Sequence, residues 1–265
     1  YTHPAFSRWK IISEIHGVCS LLNAGVARVD ISPKIGVAHA GWGAQTHQVS
    51  LGNDMPLHVT ALVVTKDDVE LAIVDVDIGI FTNQQDKDIR ELISKESGIP
   101  FGNIRLAYTH THSGPITFGQ WIKDGIGLAN EWWNTIPAAC VKAVVEAKST
   151  AQPARTGFGR GSCDVNINRR PARDNGELFT GRNWDGAVDH SVDVVSFDDD
   201  DDNPIATIVN YAMHPTIMAH ENQWVTPDFP GPMRSVVEHT VGGLCLFLQG
   251  ASGNQGPVDG FTGDL

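Results

Sequence analysis

The sequence predicts an α/β fold, a mixed, twisted β-sheet covered by helices. Two observations carry this. First, two β-branched runs, residues 57–65 and 69–76, are separated only by Lys66-Asp67-Asp68, the pattern of an antiparallel hairpin. Second, apolar runs twice flank a stretch of helical spacing: 69–76, 83–97 and 104–108, and again 205–213, 231–240 and 244–248. Hairpins combined with strand–helix–strand units require both parallel and antiparallel neighbours. At 265 residues and 41% hydrophobic, the chain can bury one substantial core.

Taken in order, residues 1–23 read as a peripheral N-terminal lead-in, and 24–265 as the domain proper. Ala24 to Ile31 is a strand stopped by Ser32-Pro33. Glycines punctuate 36–52, a long loop that carries Trp42 and His47. After the hairpin, 83–97 places Ile89, Leu92 and Ile93 on one helical face, with Gly98 as the stop. Ile104 to Tyr108 is a buried strand. Leu128 to Lys148 reads as one long helix that Pro137 kinks or interrupts. Residues 155–168 alternate loosely and suggest extended chain, whereas 169–186 are polar and loop-like. Strands at 191–197 and 205–213 flank Asp198 to Asp202, which reads as a solvated hairpin turn because it lacks the spacing of a calcium loop. A helix over 231–240 and a short strand over 244–248 lead into the glycine-rich turn 249–257. No internal repeat is present.

The formal charge, 19 − 31 = −12, opposes binding to nucleic acid, which needs a basic face. No apolar run reaches the length of a membrane span. Cys19, Cys140, Cys163 and Cys245 form no close pair. Cys140 and Cys245 lie in apolar surroundings as small buried hydrophobes.

Chemistry concentrates at Tyr108-Thr109-His110-Thr111-His112-Ser113-Gly114-Pro115. In an extended chain, residues two apart project to one side, so His110 and His112 are expected to point together from a strand end. His214 stands in the same relation to the strand over 205–213, and Pro215 holds it extended. Open α/β sheets place ligands at strand C-terminal ends, and imidazoles from distant strands suit a catalytic metal in a cleft there. Ordinary loop histidines are the alternative for the His110–His112 pair alone.

These segments resemble the neutral/alkaline ceramidase superfamily, in particular its bacterial ceramidase-like members. The resemblance rests on Gly25-Val26-Ala27-Arg28-Val29-Asp30-Ile31-Ser32-Pro33, the Thr109–Pro115 block and Asn166-Ile167-Asn168-Arg169-Arg170-Pro171. It continues through Asn210–Thr216, Thr226–Gly231 and Leu248–Asn254, in family order across residues 24–257. It implies a zinc hydrolase, in which a metal-bound water attacks an amide carbonyl, and a secreted or periplasmic setting. By matched position, it makes His110 and His214 the ligands of Zn2+. It places His112 in hydrogen-bonding reach of the reacting centre and Arg169 in the cleft. The implied substrate is a small or lipid-like molecule.

Two departures from the family pattern stand out. Asn254 and Gly256 occupy the turn positions where ceramidases carry an acid and a hydroxyl, which predicts weak turnover of ceramide. The family also takes further zinc ligands from a later region, which predicts that a C-terminal segment or a second chain completes the site. A metal cleft left open beside an exposed apolar patch is the expected consequence. Among nearby residues, Asp228 is a candidate ligand or helix N-cap, and Asp77, with Asp75, a candidate partner of a ligating histidine. Asn254 is a candidate substrate contact, while His220 and Glu221 are expected to face solvent. Tryptophans 42, 121, 132, 133, 184 and 224 could line a lipid channel or stack on sugars. Two other functions therefore stay open: a metal-dependent hydrolase of a carbohydrate or polar ester, and a non-catalytic module that retains the fold.

Overall fold

A computed structural model describes residues 22–39, 41–42, 46–117, 119 and 122–260. Most of the lead-in, Cys19, Trp121 and the last five residues lie outside them. Strand β1 (Leu22–Asp30) and a two-residue strand β2 (Gly52–Asn53) precede the hairpin. The hairpin forms as predicted: β3 (His58–Lys66) pairs antiparallel with β4 (Val69–Val76), turning at Asp67 with φ 52°.

Helix α1 (Asn83–Ser97) has the expected bounds and a start that hydrophobic spacing did not reveal. The Thr82 side chain accepts the Gln85 N–H while the Gln85 side chain accepts the Thr82 N–H, a capping box. Gly98 closes the helix in the left-handed region that glycine adopts at little cost. Strand β5 (Ile104–Tyr108) then pairs parallel with β4.

The long helix expected over 128–148 is in fact two, α2 (Ile126–Trp133) and α3 (Ile136–Ser149). Pro137 sits in the first turn of α3, where a missing N–H breaks no helical bond, so it begins a helix rather than kinking one. The loosely alternating stretch becomes β6 (Gln152–Ser162) and β7 (Asn166–Asn168). Strands β8 (Ser191–Asp198) and β9 (Pro204–Tyr211) are joined by the acidic turn. There the Asp199 carboxylate accepts the Asp201 and Asn203 N–H groups, as a turn aspartate does. The last elements are β10 (Trp224–Val225), α4 (Pro230–Thr240), β11 (Leu244–Gln249) and β12 (Gln255–Pro257).

Eight strands form one mixed sheet in the order β11-β9-β8-β6-β1-β3-β4-β5. Its two parallel pairs, β4 with β5 and β9 with β11, occupy opposite ends of that order. The ends nonetheless meet, because the sheet folds over at the short β1–β6 pairing and β11 packs against β3, β4 and β5. One core, including Ala24, Leu62, Phe197, Ile208 and Leu246, fills the space between the two halves. A larger one seals α1 and α3 against the outer face of β1, β3, β4 and β5. No helix among the described residues is long and apolar enough to cross a membrane.

Polar bonds reinforce the closure. Arg234 on α4 donates to Asp75 and Asp77 at the end of β4, all three side chains being almost wholly buried. Asp75 also accepts the Phe247 N–H of β11. Nearby, Arg28 of β1 pairs with Glu238 of α4, which accepts the Cys245 N–H.

Candidate metal centre

The folded-over sheet brings His110, just past β5, beside His214, just past β9. With His112 they form a cluster whose ligand nitrogens all lie within 4.8 Å of one another. Ring centroids are 4.6 Å apart for His110 and His214, 5.1 Å for His110 and His112, and 4.9 Å for His112 and His214. The three histidines come together, but not through the extended backbone expected at His110. The strand ends at Tyr108, and His110 has φ 64°, so the extended alternation does not apply. Histidine in this region is uncommon. Its conformation is fixed by its N–H donating to Ile78 O and its Nδ1 donating to Gly79 O at 2.6 Å.

Each ring is anchored the same way. Nδ1 of His112 faces Gly41 O at 3.0 Å, and Nδ1 of His214 faces Ser252 O at 3.2 Å. A carbonyl can only accept, so each Nδ1 carries the hydrogen and each Nε2 of a neutral ring presents a lone pair. Nε2 of His112 and Nε2 of His214 are 3.0 Å apart. Lone pairs converging at that separation favour a positive charge among them, and three imidazoles so arranged could hold a metal ion.

A proton is poorly suited to that task. Burial, then the charge of His110, lowers the His112 pKa to about 4. Burial, then Arg169, lowers that of His214 to about 2. His110 is lowered too, again by burial first. All three rings are therefore neutral near pH 7.

Three backbone carbonyls thus orient the imidazoles, and sequence reasoning did not identify them. The signal lay in two glycines. A Cβ at Gly41 would meet His112 O at 3.1 Å, and one at Gly79 would meet Thr111 O at 3.3 Å. Both positions need the close approach that glycine permits. The His214 loop is held by side chains that the sequence did not single out. Gln249 Nε2 donates to Met213 O and to Ser252 Oγ, while Gln255 O accepts the His214 N–H. The two histidine loops are also tied to each other, His112 N–H donating to Pro215 O.

Arg169 stands at the cluster, where its charge depresses all three histidines. Its own pKa falls to about 10, through burial and then Arg170. Its Nε and Nη2 donate to Gly253 O, and its N–H donates to Asn254 O. Asn254 enters through that carbonyl, and the residue is exposed. Gly256 packs on Arg169, where an added Cβ would lie 3.3 Å from Arg169 Cδ.

The acidic candidates lie elsewhere. Asp228 does not join the cluster. Its carboxylate accepts the N–H groups of Ile217, Met218 and Phe229 and clamps that loop, and the N-cap of α4 is Phe229. Asp77 and Asp75 bond to Arg234 instead of to an imidazole of the cluster. His220 is buried, contrary to expectation. Glu221 is exposed as expected.

Beside the cluster lies a pocket of about 320 Å³. His110 and His112 form part of its wall, and Trp42, Trp132, Trp133, Ile78, Ile80 and Ile116 make the rest largely apolar. Trp42 also leans on the His112 ring at 4.9 Å. Trp184 and Trp224 are exposed and do not line this pocket.

Residues 22–258 match the family described as "Neutral/alkaline non-lysosomal ceramidase, N-terminal". The chain is 35% identical over 146 residues to neutral ceramidase B of Dictyostelium discoideum, covering 53% of this chain and 20% of that protein. It is 28% identical over 201 residues to a neutral ceramidase of Pseudomonas aeruginosa, covering 71% of this chain and 29% of that one. The crystal structure of neutral ceramidase from Pseudomonas aeruginosa superposes with a TM-score of 0.72 at 22% identity, over 89% of this chain and 39% of that one. The chain therefore spans well under half the length of the relatives it matches.

Proposed function

From the premise that the chain belongs to the neutral/alkaline non-lysosomal ceramidase family, we propose that it carries the metal centre of a zinc-dependent hydrolase that cleaves an amide or related bond in a lipid-like substrate. The observation that supports this most is the partly buried cluster of His110, His112 and His214, each with Nδ1 against a backbone carbonyl and with ligand nitrogens within 4.8 Å of one another. His110 and His214, which project from the two halves of the sheet, hold the ion. When bound, such an ion polarises a carbonyl oxygen and brings the pKa of water toward neutrality.

The chain's own groups do the rest. His112 is neutral at Nε2 and accepts the proton of the attacking water, then returns it to the leaving nitrogen as the C–N bond breaks. Arg169 stabilises the negative charge that develops on the carbonyl oxygen. The tryptophan- and isoleucine-lined pocket receives an apolar chain and keeps water from it. That lining, apolar on most sides, favours a lipid-like substrate over a sugar.

The test separates binding from chemistry. His112→Ala should retain the metal and lose turnover of an N-acyl substrate by roughly a hundred-fold or more. Loss of metal from that variant would make His112 a ligand and refute the division of roles.

A further inference from the structure

The proposed metal site is assembled from two halves of one sheet that are far apart in strand order. His110 follows β5 at one end, and His214 follows β9, next to β11 at the other. Something must set the separation of these halves, since nitrogens that share an ion tolerate only a few tenths of an ångström. Apolar packing between the halves is non-directional and does not fix that distance so closely.

We infer that the buried Asp75–Arg234–Asp77 cluster is the strut that positions the two histidine-bearing halves, and that Asp77 and Arg234 are positioning residues for the metal site. Asp75 lies in β4 beside β5 and Asp77 directly follows that strand, and Arg234 lies on α4, the crossover between β9 and β11. Arg234 Nη1 meets Asp75 Oδ2 at 3.0 Å, and Nη2 meets both Asp77 oxygens at 2.8 and 2.7 Å. Asp75 Oδ2 also takes the Phe247 N–H of β11 at 2.9 Å. One planar guanidinium thus binds two carboxylates of one half to the helix of the other, and the Phe247 N–H of β11 donates to one of the same carboxylates.

From Asp77 the path to the metal site is short. Its Oδ2 accepts the His58 N–H at 2.8 Å, which fixes where the chain leaves β4. The next residues, Ile78 and Gly79, present the carbonyls that accept the N–H and the Nδ1–H of His110. Those two bonds hold His110 at φ 64°. Asp77 is thus placed to act on His110 through two intervening residues.

A stabilising role alone would not need this placement. A buried ion cluster is often no better for stability than apolar side chains of the same size, so its value here lies in the geometry it imposes. Arginine is suited to the task because its fork is rigid and bidentate, whereas lysine offers a single mobile point of charge.

The inference rests on His110 and His214 holding the ion, and the experiment keeps the two claims apart. Zn2+ affinity is measured by titration calorimetry, and Co2+ spectra report ligand geometry, for the wild type, Asp77→Asn, Arg234→Lys and the surface control Arg160→Gln. All are compared where circular dichroism shows them folded. Asp77→Asn should weaken metal binding roughly 10–100-fold and alter the Co2+ bands, with Arg234→Lys intermediate and Arg160→Gln unchanged. In the metal-free proteins, Asp77→Asn should also shift the imidazole NMR resonances of both His110 and His214 while leaving that of His239 in place. If Asp77→Asn lowers the melting temperature but leaves affinity, spectrum and imidazole resonances as in the wild type, the cluster is merely structural and the inference is overturned. If the wild type itself takes no metal, the proposed function fails, and unshifted imidazole resonances would then overturn the strut on their own.

Discussion

At the residue scale, the site is a matter of where hydrogens sit. Three Nδ1–H groups are committed to the carbonyls of Gly79, Gly41 and Ser252, which leaves three Nε2 lone pairs directed at one another. The arrangement depends on pH with a definite sign. In the folded, metal-free protein His112 and His214 have pKa values of about 4 and about 2, against 6.5 when unfolded. As pH falls below 6.5, the unfolded chain takes up protons first, so stability is full above that value and drains toward the folded pKa values. Melting of the metal-free protein should be flat from pH 8 to 6.5 and fall steadily below it. His112→Gln should remove part of that slope, and an unchanged slope would show that the ring is not held neutral by the fold. The histidines were legible in the sequence because each follows an apolar run. Their anchoring carbonyls were not, since a backbone oxygen carries no residue type, and only Gly41 and Gly79 hinted at close approach.

At the element scale, propensity and periodicity located the strands and α1 well, and failed where one residue has two physical meanings. Pro137 reads as a kink within a helical pattern, yet at a first turn it is favourable, and only the break at Asn134-Thr135 decides between them. Asp228 likewise reads as a ligand or a cap, and three backbone N–H groups claim it instead. Gly25 shows how tightly the elements meet. A Cβ there would collide with the Ala147 carbonyl and lie 2.6 Å from Ala151 N, both backbone atoms that cannot swing aside. Gly25→Ala should therefore destabilise by about 1–3 kcal/mol or more, seen as a lower melting temperature. The same change at Gly159, whose Cβ would meet open space, should have little effect through packing. Equal losses at both positions would remove the argument from contact between β1 and α3.

At the scale of the whole molecule, the sequence announced a mixed sheet but not its closure. Which strands meet across a fold is set by contacts distant in sequence, such as Arg234 with Asp75 and Asp77, and no local pattern encodes them. The substrate question belongs here too. Gly256 lies against Arg169 with no hydroxyl to offer, and the acid expected beside it is the exposed Asn254. Ceramide turnover should thus be weak even in a longer form of the protein. The missing contact corresponds to about 1–3 kcal/mol, or roughly ten- to a hundred-fold. Fatty-acid release from ceramide as fast as from other N-acyl amides would show that this turn does not govern selectivity. The central claim, that the folded-over sheet builds one metal centre from His110 and His214, is tested most directly by metal content. Elemental analysis of zinc-equilibrated protein should find about one ion per chain, lost in both His110→Ala and His214→Ala while circular dichroism remains that of the folded wild type. Zinc retained unchanged in both variants would contradict it.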